Sequence, residues 1–356
     1  MGKKTPKVPP PDSQVWKNQT EFRVLERSLK RKECRDFSEF LFDTSCCEKH
    51  ELHLFHTQRE AISFQQFPGL FLIRNAIPQQ EQLQIIKSAL EEWAKPPNVS
   101  NLDSHFHLPV NGIWNKYADW KVAGGPEPII QKRFFNVPDG VPMEASTCPA
   151  AKPCEMKKPI ISVYDPESDL IIDSPVDNML NNEGQPVSKV LNRIRWLTLA
   201  HQYNWSKKEY HFDRVPPFPS SLAAQSLHIV KQTECLTGYD PHNWRPEAGI
   251  VNFYQPGDSL TAHQDRSEIN TEAPLLSISL GLECIFLLGT EDRAEKPIAL
   301  HLKSGDLVIM SKGSRRSFHG VPRVIEETCP DYLDDGGILG DYIKHTRINV
   351  NIRQVF

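Results

Sequence analysis

From Ala248 onward the chain is cut into short apolar segments separated by Gly, Asp and Ser turns: AGIVNFY (248–254), LLSISLG (275–281), CIFLLG (284–289), IALHLKSGDLVIMS (298–311, broken at Ser304-Gly305-Asp306) and RINVNIR (347–353). Closely spaced strands of this kind bury their apolar faces by closing on one another, which predicts a sandwich or closed double sheet. The last segment tightens the constraint. Arg347, Asn349, Asn351 and Arg353 alternate with Ile348, Val350 and Ile352, so one face is aliphatic and the other carries two guanidiniums and two amides. An ordinary antiparallel strand gives such a polar face to water. The alternative is an interior that requires two arginines.

A reason for such an interior lies upstream. His263 and Asp265 stand at i and i+2, and on a strand they would present an imidazole and a carboxylate to one point. His319, in RRSFHGVPR (315–323), follows the LVIM strand and would be carried back across a sandwich. Two histidines and one carboxylate form the facial triad of non-haem Fe(II) oxygenases, which leaves positions open for co-substrate and O2. The usual electron source for such iron is 2-oxoglutarate, a dianion whose keto acid end chelates the metal and whose far carboxylate lies inside the barrel. A buried guanidinium and a buried carboxylate are each unfavourable alone and favourable as a bidentate pair. Arg347 and Arg353 are therefore expected to line the interior, with Asn252 and Tyr254, again at i and i+2, completing the wall.

Taken together, NFYQPGDSLTAHQDRSE (252–268), His319 and R-x-N-x-N-x-R (347–353) resemble the AlkB family of Fe(II)/2-oxoglutarate dioxygenases. PPNVSNLD (96–103), RWLTLAHQYNW (195–205), PPFPSSL (216–222) and PLLSISLG (274–281) are similar to its AlkB homolog 1 branch in particular. The resemblance covers roughly 65–110 and 190–356, and the basic N-terminal helix also has a counterpart there. It implies an α+β protein with a double-stranded β-helix (jelly-roll) catalytic core, N-terminal helices and an irregular insertion. It also implies oxidative removal of alkyl groups from nucleic-acid bases, with Fe(II) and 2-oxoglutarate as cofactors. By position, His263, Asp265 and His319 correspond to the iron ligands. Arg347 with Asn252 and Tyr254 corresponds to the holder of the distal carboxylate, and Arg353 with Asn349 to the group near the keto acid end. Where bacterial AlkB has a base-reading acid two residues after the metal aspartate, this chain has Ser267, so base preference does not transfer.

The rest of the chain divides into four expected regions. Residues 1–60 form a basic N-terminal helical extension, 61–120 a supporting strand and helix with the start of a substrate lid, 121–190 a Pro-rich irregular insertion, and 191–356 the catalytic core. Residues 1–35 hold ten Lys and Arg against four acids. Within them TEFRVLERSLKRK (20–32) predicts a helix capped by Thr20, with Phe22, Leu25 and Leu29 on one face and Arg23, Arg27, Lys30 and Arg31 on a neighbouring face that is either solvated or turned to phosphates. GLFLIR (69–74) reads as a strand, and 78–95 as a helix burying Leu83, Ile86, Leu90 and Trp93. Between 121 and 190 ten prolines and little apolar periodicity predict irregular structure.

Among 356 residues, eight scattered cysteines without a secretory segment point to a reducing, intracellular setting rather than a disulfide framework. No apolar run approaches a membrane span. The resemblance leaves nucleus, cytoplasm and mitochondrion open and implies a monomer. A net charge of -4 gives no whole-chain attraction to nucleic acid. Local features do. In HQYNWSKKEYHF (201–212), Tyr203, Trp205 and Tyr210 interleave with Lys207 and Lys208, a composition suited to base stacking with phosphate contact, or to packing an ordinary lid. Arg315 is expected at the pocket mouth as a phosphate or base contact. The resemblance implies structured RNA such as tRNA as the partner, with unpaired DNA as a second candidate, and leaves the base open between methyladenine and methylcytosine. Cys46, Cys47, His50, His53 and His56 would satisfy a search for zinc, but the i, i+3, i+6 spacing drifts around a helix. Two rival functions share these residues: a hydroxylase acting on protein or a small molecule, and a silent nucleic-acid-binding module.

Overall fold

The computed structural model describes residues 20–31, 36–133, 163–165, 170–172, 184–204, 209–211 and 215–356. Trp205, Lys207 and Lys208 lie outside them, as does most of 121–190. In chain order the elements begin with helix α1 (Glu21–Lys30), strands β1 (Glu48–Leu54), β2 (Thr57–Ser63) and β3 (Leu70–Ile73), helix α2 (Gln79–Glu91), β4 (Val99–Ser100) and helix α3 (Ile113–Ala123). Next come β5 (Ile129–Gln131), β6 (Val163–Asp165), β7 (Leu170–Ile172), β8 (Gly184–Pro186), helix α4 (Val187–Leu191), β9 (Trp196–Ala200), β10 (Gln202–Asn204) and β11 (Glu209–His211). Helices α5 (Ser220–Gln232) and α6 (Glu234–Thr237) lead to β12 (Ala248–Tyr254), β13 (Leu260–His263), β14 (Leu275–Gly281) and β15 (Glu283–Leu288). The chain closes with β16 (Ile298–Leu302), β17 (Leu307–Met310), β18 (His319–Ile325), helix α7 (Ile338–Ile343) and β19 (Arg347–Arg353).

A nine-stranded sheet runs β1-β2-β3-β17-β14-β19-β12-β9-β4, and a four-stranded sheet runs β13-β18-β15-β16. Leu72, Tyr254, Leu275 and Met310 of the large sheet pack with Phe286, Leu288, Leu300 and Val321 of the small one. The opposite face of the large sheet, with Val251, Ile278, Ile348, Val350 and Ile352, is covered by α2 and α5 through Ile86, Leu90 and Ile229. Phe22, Leu25 and Leu29 of α1 cover the outer side of the small sheet at Ile285, Leu287 and Ala299. The result is the expected jelly-roll, two antiparallel sheets with helices outside.

β19 lies between β12 and β14, not at an edge. Its aliphatic face therefore serves the helix-covered core, and Arg347, Asn349 and Arg353 are buried on the side facing the small sheet. Water is not what that face meets. The break at Ser304-Gly305-Asp306 hands the chain from the small sheet to the large one. Gly305 has φ +87, and a Cβ there would meet Gln82 at 2.4 Å, so glycine is required at this corner. Asp306 fixes it by accepting from the backbone N–H groups of Asn75 and Lys303, each at 2.9 Å.

Several expectations need correction. The boundary at 60 falls inside the β1–β2 hairpin, so 1–60 is not wholly helical. Within 121–190 short strands do pair, β5 with β8 and β6 with β7. In α2 the buried face is Gln82, Ile85, Ile86, Ala89 and Leu90, while Leu83 is half-buried and Trp93 is buried just beyond the helix. His50 and His53 lie on a strand rather than a helix, and an odd spacing sends them to opposite faces.

Candidate metal and co-substrate site

His263 ends β13 and His319 begins β18, and the two are cross-strand partners with ring centroids 4.3 Å apart. Asp265 is not on the strand, as i, i+2 spacing implied. It lies just past the end of β13, where Gln264 Nε2 donates to the Arg316 carbonyl at 2.7 Å and holds the loop. The Asp265 carboxylate then stands between the imidazoles, Oδ1 3.9 Å from His263 Nε2 and Oδ2 3.8 Å from His319 Nε2. One ligand atom from each residue lies within 4.8 Å of the others, and among the described residues no second group of three does so.

Both rings are oriented alike. His263 Nδ1 bonds the Thr261 carbonyl at 3.0 Å and His319 Nδ1 the Ser317 carbonyl at 3.1 Å. A carbonyl only accepts, so each Nδ1 carries the hydrogen and each Nε2 offers its lone pair to the shared centre. Burial and the neighbouring His263 push the His319 pKa down to about 4, which keeps it neutral. Burial works against ionised Asp265, but the Arg353 guanidinium above all outweighs it and holds the carboxyl well below the usual range. A neutral His319 and an ionised Asp265 are the protonation states in which these groups bind a divalent transition metal.

These groups open on a cavity of about 660 Å³ that Asn252, Tyr254, Arg347, Asn349 and Arg353 also line. Arg347 is 1% exposed. Its Nη2 donates to Ser279 Oγ at 3.1 Å, its guanidinium lies 5.1 Å from the Tyr254 ring centroid, and Nε and Nη1 have no partner among the described residues. Burial pushes the Tyr254 hydroxyl up to about 12, so it stays protonated. Buried donors left unmatched by protein are what an anion in the cavity would satisfy. Asn349 is committed locally: Nδ2 donates to Ser277 Oγ and the Ile278 carbonyl, both at 2.9 Å, and Oδ1 accepts from Asn351.

Two expected substrate residues sit differently, and a third lines the cavity. Arg315 is 1% exposed, not at a mouth, and donates to Glu268 Oε2 at 3.0 Å and the Asp265 carbonyl at 3.1 Å. Tyr210 is buried and donates to Glu268 Oε1 at 2.7 Å, which removes it from any stacking surface. Tyr203, half-buried on the cavity wall, pairs with Ser267 Oγ at 2.8 Å. The Cys46 to His56 group does not assemble: Cys46 is exposed, and His50 Nε2 bonds Ser63 Oγ at 2.9 Å. Motif reading passes over Glu268. The signal that could have found it is charge balance, since two interior arginines beside one aspartate call for a second carboxylate, and Glu268 is the next acid after Asp265.

A family model described as the 2OG-Fe(II) oxygenase superfamily matches residues 172–353. The tRNA demethylase abh1 of Schizosaccharomyces pombe is 34% identical over 348 residues, which is 95% of this chain and 97% of that protein. The DNA N(6)-methyladenine demethylase ALKBH1A of Arabidopsis thaliana is 29% identical over 300 residues, covering 81% of this chain and 76% of its own. The nucleic acid dioxygenase ALKBH1 of Homo sapiens is 28% identical over 320 residues, covering 83% and 66%.

Proposed function

The chain belongs to the 2OG-Fe(II) oxygenase superfamily, in the AlkB homolog 1 branch of the AlkB family, and from that premise we propose that His263, Asp265 and His319 hold its iron while Arg347 and Arg353 hold its 2-oxoglutarate. The protein is an Fe(II)/2-oxoglutarate-dependent dioxygenase that oxidatively demethylates bases in nucleic acid. Bound together, iron and 2-oxoglutarate supply the oxidation of a methyl carbon by O2, with release of succinate and CO2.

The observation that carries the residue assignment is the shared cavity. His263, Asp265, His319 and Arg347 line one cavity, and Arg347 carries two buried guanidinium nitrogens, Nε and Nη1, that no described residue pairs. Arg347, over the ring of Tyr254 and beside Asn252, takes the distal carboxylate. Arg353, fixed to Asp265 at 3.2 Å, stands at the metal end. Asn349 braces the wall and orients neighbouring donors. The Nδ1 hydrogen bonds of His319 and His263 fix which ring nitrogen faces the metal, and Asp265 stays ionised through Arg353.

The substrate is structured RNA, tRNA first, with unpaired DNA as the second candidate. Related proteins bear the names tRNA demethylase and RNA demethylase. A base must leave its stack to reach a buried centre, and Tyr203 on the wall with exposed Arg266 at the rim offers a ring and a cation to receive it. Ser267, tied to Tyr203, replaces an acid at the base-reading position. The protein acts as a monomer and inside the cell, the latter supported by free thiols at the five described cysteines. Incubation with total tRNA, Fe(II) and 2-oxoglutarate, followed by mass spectrometry of nucleosides, tests this. Methyl loss, or oxidation to a formyl group, should match succinate formed. If succinate rises with nuclease-treated protein extract and with no nucleic acid, a protein hydroxylase is the better assignment.

A further inference from the structure

Glu268 is 4% exposed, three residues beyond Asp265, and both of its oxygens are engaged. Oε1 accepts from Tyr210 Oη at 2.7 Å and from Arg353 Nη1 at 2.8 Å; Oε2 accepts from Arg315 Nη2 at 3.0 Å. Arg353 reaches Asp265 Oδ2 with its other terminal nitrogen at 3.2 Å, and Arg315 reaches the Asp265 carbonyl at 3.1 Å. Two carboxylates and two guanidiniums thus balance, with Glu268, Arg315 and Arg353 buried and Asp265 partly open to the cavity. Burial alone would raise the Glu268 carboxyl, yet Arg353 keeps it below its ordinary value. With Glu268 in place the Arg353 guanidinium is held at both ends. Without it the guanidinium keeps one anchor, Asp265, about which it can swing.

The same carboxylate reaches the substrate side. Tyr210 and Tyr203 are register partners on β11 and β10, with rings T-shaped at 5.1 Å. Their hydroxyls meet consecutive residues of the loop after Asp265, Tyr203 at Ser267 and Tyr210 at Glu268. Tyr203 lines the cavity. We propose that Glu268 is a positioning residue: it fixes the Arg353 guanidinium for the keto acid end of 2-oxoglutarate and, through Tyr210, fastens the β10–β11 pair to that same guanidinium. This rests on the assignment of Arg353 to the co-substrate made above. It gives Tyr210 a role other than stacking and explains why Arg315 is turned inward.

The test uses the full chain with Glu268→Gln, Glu268→Asp, Tyr210→Phe and Arg353→Lys. Glu268→Gln should raise the KM for 2-oxoglutarate about 10- to 100-fold with a smaller change in kcat, as removal of an outer-shell partner does, and Glu268→Asp should recover part of it. In metal-free protein, Tyr210→Phe should speed amide exchange in 202–204 and 209–211 roughly 5- to 10-fold, the effect of one buried hydrogen bond, and should raise succinate formed per methyl removed. A purely structural Glu268 would lower the melting temperature and leave the KM in place, which overturns the proposal. If Glu268→Gln does not fold, Glu268→Asp and Tyr210→Phe decide: wild-type KM in the first with wild-type exchange in the second also overturns it. Arg353→Lys separates the two levels. Weakened co-substrate binding in Arg353→Lys beside unchanged binding in Glu268→Gln refutes the positioning role alone, and unchanged binding in both refutes the assignment of Arg353 itself.

Discussion

Arg347→Leu is the most informative single change, because one substitution should move affinity and stability in different directions. Arg347 is 1% exposed, with one hydrogen bond to Ser279, a ring beneath it, and two unmatched donors. Truncating one partner of a buried, hydrogen-bonded charge pair costs about 2–5 kcal/mol. At about 1.4 kcal/mol per factor of ten, the dissociation constant for 2-oxoglutarate should rise roughly 30- to 4,000-fold. Without co-substrate the balance reverses. A buried cation with little compensation is unfavourable, and its removal offsets the packing that the shorter leucine gives up. Calorimetry with Mn(II)-loaded protein under argon reads the first effect, and thermal unfolding with and without 2-oxoglutarate reads the second. The variant should melt no lower than the parent alone and lose the ligand-induced rise. Co-substrate affinity within threefold of the parent would refute the role of this side chain.

Asp265→Asn should lose Fe(II) and turnover, read as metal content and succinate. Asp265→Ala should in addition melt lower, because Arg353 loses a partner at 3.2 Å; full activity in either would remove the triad. Tyr203→Ala should depress tRNA-stimulated succinate formation more than unstimulated formation, and equal effects would take Tyr203 off the substrate path. Reversing Arg27 and Arg31 to Glu should flatten the salt dependence of RNA binding, with a slope change of about 0.7–0.9 for each phosphate no longer neutralised. An unaltered slope would mark that face as solvated. Deletion of 1–35 is a poor substitute, since it also strips Phe22, Leu25 and Leu29 from the small sheet and should lower stability.

The strands of the core are legible in the sequence because period two and turn residues are local. β12, β14 and β19 occupy the expected segments 248–254, 275–281 and 347–353, and Thr20 caps α1 as its position implies, accepting from the Arg23 N–H at 3.3 Å. His263, Asp265 and His319 can be named in advance because a metal restricts residue types severely. Fates that depend on distant partners cannot. Whether 298–302 and 307–310 share a sheet is decided by the corner at Gly305 packing on Gln82, residues more than two hundred positions apart. The i, i+2 spacing puts Asp265 on a strand, but β13 ends at His263 because its partner β18 begins at His319. Arg315 and Tyr210 read as surface contacts because arginine beside a pocket and tyrosine among lysines usually are. Glu268 draws both inward, since a buried carboxylate gathers every donor within reach and no pattern in the chain records that distance. Sequence alone thus determined which chemistry this protein carries, through residue types that metal and dicarboxylate demand; tertiary structure decided which side chains touch it and which only hold the others in place, because burial and charge balance are properties of neighbours in space.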